Sequence, residues 1–167
     1  MLTGFIYPVI VHWIWSDNGY LSAFAPEPFL GSGVIDFARS GVVHSTGGIA
    51  ALLAAIFLTL HLGCFYDHDD NPLKHSTEWA PHLTALQCLG TFLMWFGWYG
   101  FNSGSTLIVT SRADYTTALA AITSTMAAAS GALSCMCTQS FIGYHKTGEV
   151  SYDLSCVMNG LLSGLVA

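Results

Sequence analysis

The chain of 167 residues is 8% charged and 53% apolar, and its formal net charge is −6. Soluble domains carry about 25% charged residues, so this chain lacks the polar surface that a water-solvated globule of its size needs. Its acidic balance excludes a phosphate backbone as partner, and we expect no nucleic-acid binding.

Charge is distributed in blocks. No charged residue occurs in 1–16, 40–66, 79–111, 115–145 or 154–167. The middle three runs exceed the roughly 20 apolar residues that span a bilayer. The first is slightly short, and the last stops while still apolar. Both ends are therefore expected to pass through helices of a longer membrane protein. The fold class expected is an all-α integral membrane protein with lipid as its surroundings. The predicted helices are 1–16, 36–62, 81–103, 115–142 and 153–167.

In chain order, Trp13 and Trp15 close the first helix and suit an interfacial aromatic belt. Residues 17–33 hold Asn18-Gly19, Pro26, Pro28, Gly31 and Gly33, which is turn chemistry. Asp36 stands at the expected start of the second helix. There a carboxylate can attract a cation to a pore mouth, or cap free backbone N–H groups and complement the helix dipole. His44 lies eight residues further on, about 12 Å along a helix axis. An imidazole in an apolar run carries one donor and one acceptor nitrogen. It can hydrogen-bond a small polar solute and relay a proton, or simply bond a neighbouring carbonyl.

His61, Asp67, His68, Asp69, Asp70, His75 and His82 gather in or near the most polar loop. Their spacing fits no zinc or calcium template, so no metal is expected. Pro81 suits the first turn of the third helix. That helix ends in the run 89–105, where aromatic residues and glycines interleave and Asn102 suits a cap. Aromatic faces there can hold cations or pack. Gly100 with Gly104, Gly160 with Gly164, and the group Ala127, Ser130, Gly131 and Ser134 suit close helix packing in lipid. The five cysteines read as small packing residues. Lys74 and Lys146 fall on one side and Arg39 and Arg112 on the other, so charge alone leaves orientation open.

Two stretches carry a family resemblance. Val34-Ile-Asp-Phe-Ala-Arg-Ser-Gly-Val-Val-His-Ser-Thr-Gly-Gly-Ile-Ala50 resembles the fifth transmembrane helix of ammonium transporters. Leu89-Gly-Thr-Phe-Leu-Met-Trp-Phe-Gly-Trp-Tyr-Gly-Phe-Asn-Ser-Gly-Ser105 resembles their sixth, with the flavour of plant-type members. His12 to Trp15 is similar to the end of the fourth helix, and Asn159 to Gly164 to the start of the eighth.

The resemblance implies a multi-pass protein of eleven helices, a homotrimer with one pore per protomer, of which this chain supplies about helix four to the start of helix eight. It implies ammonium or ammonia as the transported species, a plasma-membrane location, no cofactor and no enzymatic reaction. Asp36 would lie outside, and Lys74 and Lys146 in the cytosol. By residue, Asp36 matches the acid near the external mouth. Trp15 and Ser105 match an aromatic and a hydroxyl at the external ammonium site. Phe101 matches one of two stacked phenylalanines above the pore, Trp98 a tryptophan lining it, and His44 the first of two pore histidines. Arg39, Ser45 and Thr46 stand where the family has smaller or more apolar residues. A related ammonium-sensing receptor is one alternative. A haem-carrying bundle with His12, His44, His61 or His82 as axial ligands is another.

Overall fold

The structure, a computed structural model, describes residues 1–58, 71, 83–107, 113–150 and 152–166. Those residues are helical and irregular, with no β-strand among them beyond an isolated bridge between Ser22 and Val34. Met1–His82 and Leu83–Ala167 are separate compact units.

In the first unit, α1 spans Leu2–Trp15. It opens as a π-helix over Leu2–Ile6 and continues as an α-helix over Tyr7–Trp15. Pro8 sits at the junction. It donates no backbone hydrogen bond, and its ring crowds the carbonyl four residues back, so a wider turn relieves it. After α1 the chain doubles back. Leu21 N–H donates to the Trp13 carbonyl at 3.1 Å, and Val34 N–H to that of Leu21 at 2.7 Å. A 3₁₀ turn over Phe29–Gly31 follows in this loop.

Helix α2 spans Ser40–Leu58, again with a π-helical first part over Ser40–Ser45. The pattern places its start at Asp36, four residues earlier than observed. Arg39 explains the difference. It adopts φ 64°, ψ 28°, a left-handed conformation that no helix continues through. Residues 59–62 of the predicted helix lie outside the described residues. The outer face of α2 is apolar and open, with Leu52 and Ile56 exposed and Phe57 at 80% exposure. Such a face is stable in lipid and not in water.

In the second unit, α3 covers Thr84–Trp98 and continues as a π-helix over Tyr99–Ser103. Its start falls later than residue 81 because Leu83 is extended; Pro81 lies outside the described residues. Helix α4 spans Ala113–Thr147, about 52 Å at 1.5 Å per residue. That exceeds the roughly 30 Å hydrocarbon core, so it tilts or projects. The pattern ends it at residue 142, before Gly143. A glycine inside a helix costs only about 1 kcal/mol, and the observed stop is Gly148, at φ 76°, whose N–H bonds the Tyr144 carbonyl at 2.9 Å. Helix α5 is Leu154–Val166, and the Asp153 carboxylate caps it by accepting from Ser155 N–H at 2.9 Å.

Helices α4 and α5 meet backbone to backbone. A Cβ built on Gly160 would strike the Gly131 carbonyl, and one on Gly164 the Ala127 carbonyl. Ala128, Leu161 and Leu165 bury themselves beside this contact, with Trp95 and Trp98 of α3 packed against them. Small residues supply close packing where lipid offers no hydrophobic drive. Gly100 and Gly104 differ: a Cβ at either meets no described atom within 4 Å.

Candidate transport site

The first unit carries Trp15, Asp36 and His44. Trp15 ends α1, which packs against the first turns of α2. Its ring lies 6.0 Å from that of Phe24, tilted by 52°. Phe24 is a neighbour of Trp15 that sequence reasoning missed. It lies in the loop that doubles back, and its only sequence signal is being an aromatic in turn-rich surroundings. The guanidinium of Arg39 lies 5.2 Å from the Trp15 ring centroid.

Asp36 is buried. Its Oδ2 accepts from Val42 N–H at 2.8 Å, and its Oδ1 accepts from Gly41 N–H at 3.2 Å and from the Ser40 hydroxyl at 3.4 Å. These are N–H groups that a helix start leaves without intrahelical partners. The carboxylate caps α2 from outside the helix, across the turn made by Arg39. Asp36 and His44 therefore do not share a helical column.

His44 is half-buried within the π-helical part of α2. Its N–H points to the Arg39 carbonyl five residues back, at 3.4 Å, beside a Val43 bond to the same carbonyl at 2.9 Å. π-Helical turns are rare and concentrate at functional sites. Here one carries His44.

Trp98, Phe101 and Ser105 belong to the second unit. Trp98 closes the α-helical part of α3 and packs on the Ala128, Leu161 and Leu165 cluster. Phe101 is half-buried in the π-helical extension. The Ser105 hydroxyl donates to the Phe101 carbonyl at 2.7 Å. With its proton so directed, the oxygen keeps its lone pairs as acceptors, which is what an N–H cation requires.

Asn102 holds this end in place. Its side-chain N–H groups donate to Ser124 Oγ at 2.8 Å and to the Leu165 carbonyl at 3.0 Å. The expected role as a cap of its own helix gives way to a link from α3 to both α4 and α5. Tyr99 and Thr125 hydroxyls add a second link at 2.8 Å. Further along, the Cys135 and Cys156 sulfurs are 2.7 Å apart across α4 and α5. They form a specific pair, so packing alone does not describe them. Among the described residues no group of three or more His, Cys, Asp or Glu side chains is placed to hold a metal. His61, Asp67, His68, Asp69, Asp70, His75 and His82 lie outside the described residues.

The model of the Ammonium Transporter Family matches residues 1–167. The chain belongs to the ammonium transporter family. It is 39% identical over 175 residues to ammonium transporter 1 member 1 of Solanum lycopersicum, covering 99% of this chain and 34% of that protein. It is 39% identical over 169 residues to ammonium transporter Amt2 of Archaeoglobus fulgidus, covering 100% of this chain and 33% of that protein. Among solved structures, the crystal structure of a Mep2 mutant, delta442, from Candida albicans is similar with a TM-score of 0.63 at 30% identity. That likeness covers 96% of this chain and 31% of the Mep2 chain. The chain thus spans about a third of the length of the curated relatives it matches. Its apolar helices are those of a membrane protein family with this fold.

Proposed function

We propose that a protein carrying this chain moves ammonium across a membrane, the plasma membrane in the first instance, as part of a homotrimer with one pore per protomer. The reading is supported above all by one observation: an imidazole, His44, set in a wide helical turn of an apolar, membrane-length helix, in a chain that the family matches end to end. Trp15 and Phe24 offer aromatic faces to a cation at the outer mouth, and Ser105 offers an acceptor oxygen. Asp36 contributes the negative charge of that mouth and, by capping α2, the position of His44. The family resemblance assigns Phe101 of the second unit to the pore entrance, and it assigns pore-lining roles to Trp98 of the second unit and His44 of the first.

The chemistry follows from desolvation. An ammonium ion in hydrocarbon is expensive, whereas ammonia is not charged. Deprotonation at the mouth removes most of the barrier. Ammonia then passes the apolar pore, and an imidazole, able to accept and donate, carries the proton separately.

The test places residues 1–167 in the matching third of the tomato transporter and measures methylammonium uptake and current in yeast lacking ammonium transport. Ser105→Ala should raise the half-saturation. His44→Ala should abolish or uncouple transport, and His44→Asp should admit the ion itself, with potassium. Wild-type current and selectivity in both His44 variants would remove the histidine from the pathway.

A further inference from the structure

Arg39 already fills an aromatic face that a cation substrate would use. Its guanidinium lies 5.2 Å from the Trp15 ring centroid, within the roughly 6 Å over which an aromatic face attracts a cation. The backbone aims it there. Arg39 has φ 64°, a conformation uncommon for any residue but glycine, and stands between Asp36 and the first turn of α2. The nearest acid in sequence does not hold the side chain elsewhere. Both Asp36 oxygens accept from Ser40, Gly41 and Val42. Phe24, 6.0 Å from Trp15, adds a second ring beside it.

We propose that Arg39 is a resident cation of the outer aromatic site. Its guanidinium occupies the Trp15 face and must leave before an ammonium-class cation can bind there. The inference rests on the reading of Trp15 as part of the outer site. It makes the site compete with its own side chain. The cation substrate loses the attraction of the ring until the guanidinium swings away, and meets a like charge nearby in the meantime. The apparent affinity should therefore be lower than the aromatic pair alone would give, by about three- to tenfold for a partly exposed cation–ring contact. Arg39 sets how much ammonium is needed at the mouth and leaves the pore beyond it untouched.

The test uses the hybrid that carries residues 1–167 in the matching third of the tomato transporter, in lipid nanodiscs. The indole N–H resonance of Trp15 is identified by its loss in Trp15→Phe and followed during titration with methylammonium. Arg39→Gly suits the left-handed backbone and should fold; Arg39→Gln keeps the length and removes the charge. Both should shift the Trp15 resonance before any ligand is added, and both should lower the methylammonium half-saturation about three- to tenfold. If the resonance responds to methylammonium with the same half-saturation in all three proteins, the proposal is overturned and the site reading stands. If it responds in none, Trp15 is not in a cation site, and the reading and the proposal fail together.

Discussion

The Asp36 carboxylate accepts a 2.8 Å hydrogen bond from the backbone N–H of Val42, and Val42 is 1% exposed. A buried acid is thus fixed on the start of the helix that carries His44. Asp36→Ala should leave the Gly41 and Val42 N–H groups without their acceptor and destabilise the start of α2 by about 1–2 kcal/mol. Asp36→Asn keeps one acceptor oxygen and should lose less. Amide hydrogen exchange at Gly41 and Val42 reads this directly. Unchanged protection in Asp36→Ala would mean that the wide first turn of α2 stands without its cap.

Gly160 and Gly100 make a matched pair of substitutions. Gly160→Ala pushes a methyl group into the Gly131 backbone and the Cys135 side chain, and overpacking of this kind costs about 1–3 kcal/mol. Gly100→Ala meets no described atom within 4 Å and should be neutral, or stabilising by about 0.5–1 kcal/mol through helix propensity. Thermal unfolding in detergent separates the two. Equal melting temperatures would show that α4 and α5 do not rely on close backbone approach.

Much of this fold is legible in the sequence, for a simple reason. A bilayer demands long uncharged runs, and such runs stand out in a chain with so few charges. What stays illegible involves residues far apart. Asn102 looks like a local cap, and only the folded chain brings it to Ser124 and Leu165, 22 and 63 residues away. Phe24 is hidden because the loop after α1 doubles back through backbone hydrogen bonds, which side-chain patterns do not report. Arg39 is visible as an odd charge just before an uncharged run, but its left-handed backbone and its place over Trp15 are matters of geometry.

Asn102→Leu should remove both Asn102 hydrogen bonds and leave the Tyr99–Thr125 link in place. Interhelical hydrogen bonds in lipid average about 0.6 kcal/mol and reach about 1.7 kcal/mol, so two of them predict a loss of about 1–3 kcal/mol. Ser124→Ala removes one partner and should lose less than half of that. Chemical denaturation of the three proteins side by side measures it. A loss in Ser124→Ala equal to that in Asn102→Leu would mean that the Leu165 carbonyl contributes nothing.

Cys135 and Cys156 should cross-link readily. Their sulfurs lie 2.7 Å apart on neighbouring helices, and both are free thiols. With dilute hydrogen peroxide, the two thiols together lose two protons and two electrons, the peroxide oxygens become two waters, and one S–S bond forms. Peptide mapping should find a bridge between α4 and α5. Maleimide labelling of both cysteines should then fall together and return with a reductant. Oxidation of Cys88 or Cys137 in preference to this pair would contradict the geometry.

The wide turn at Ser40–Ser45 has a further consequence for how this stretch tolerates changes of length. A π-helical turn holds one residue more than an α-helical one, so it is in effect an insertion held within an otherwise regular spiral. Removing a residue there would restore the ordinary pitch and leave the flanking turns facing as they do now, because a π turn closes one circle with its extra residue just as an α turn does without it. The cost would be local: the N–H groups of Gly41 and Val42 lie in this turn and would have to be matched again to the Asp36 carboxylate. A single-residue deletion in this turn should therefore leave the rest of α2 in register, whereas one within Thr46–Leu58 would rotate the face beyond it by about 100°.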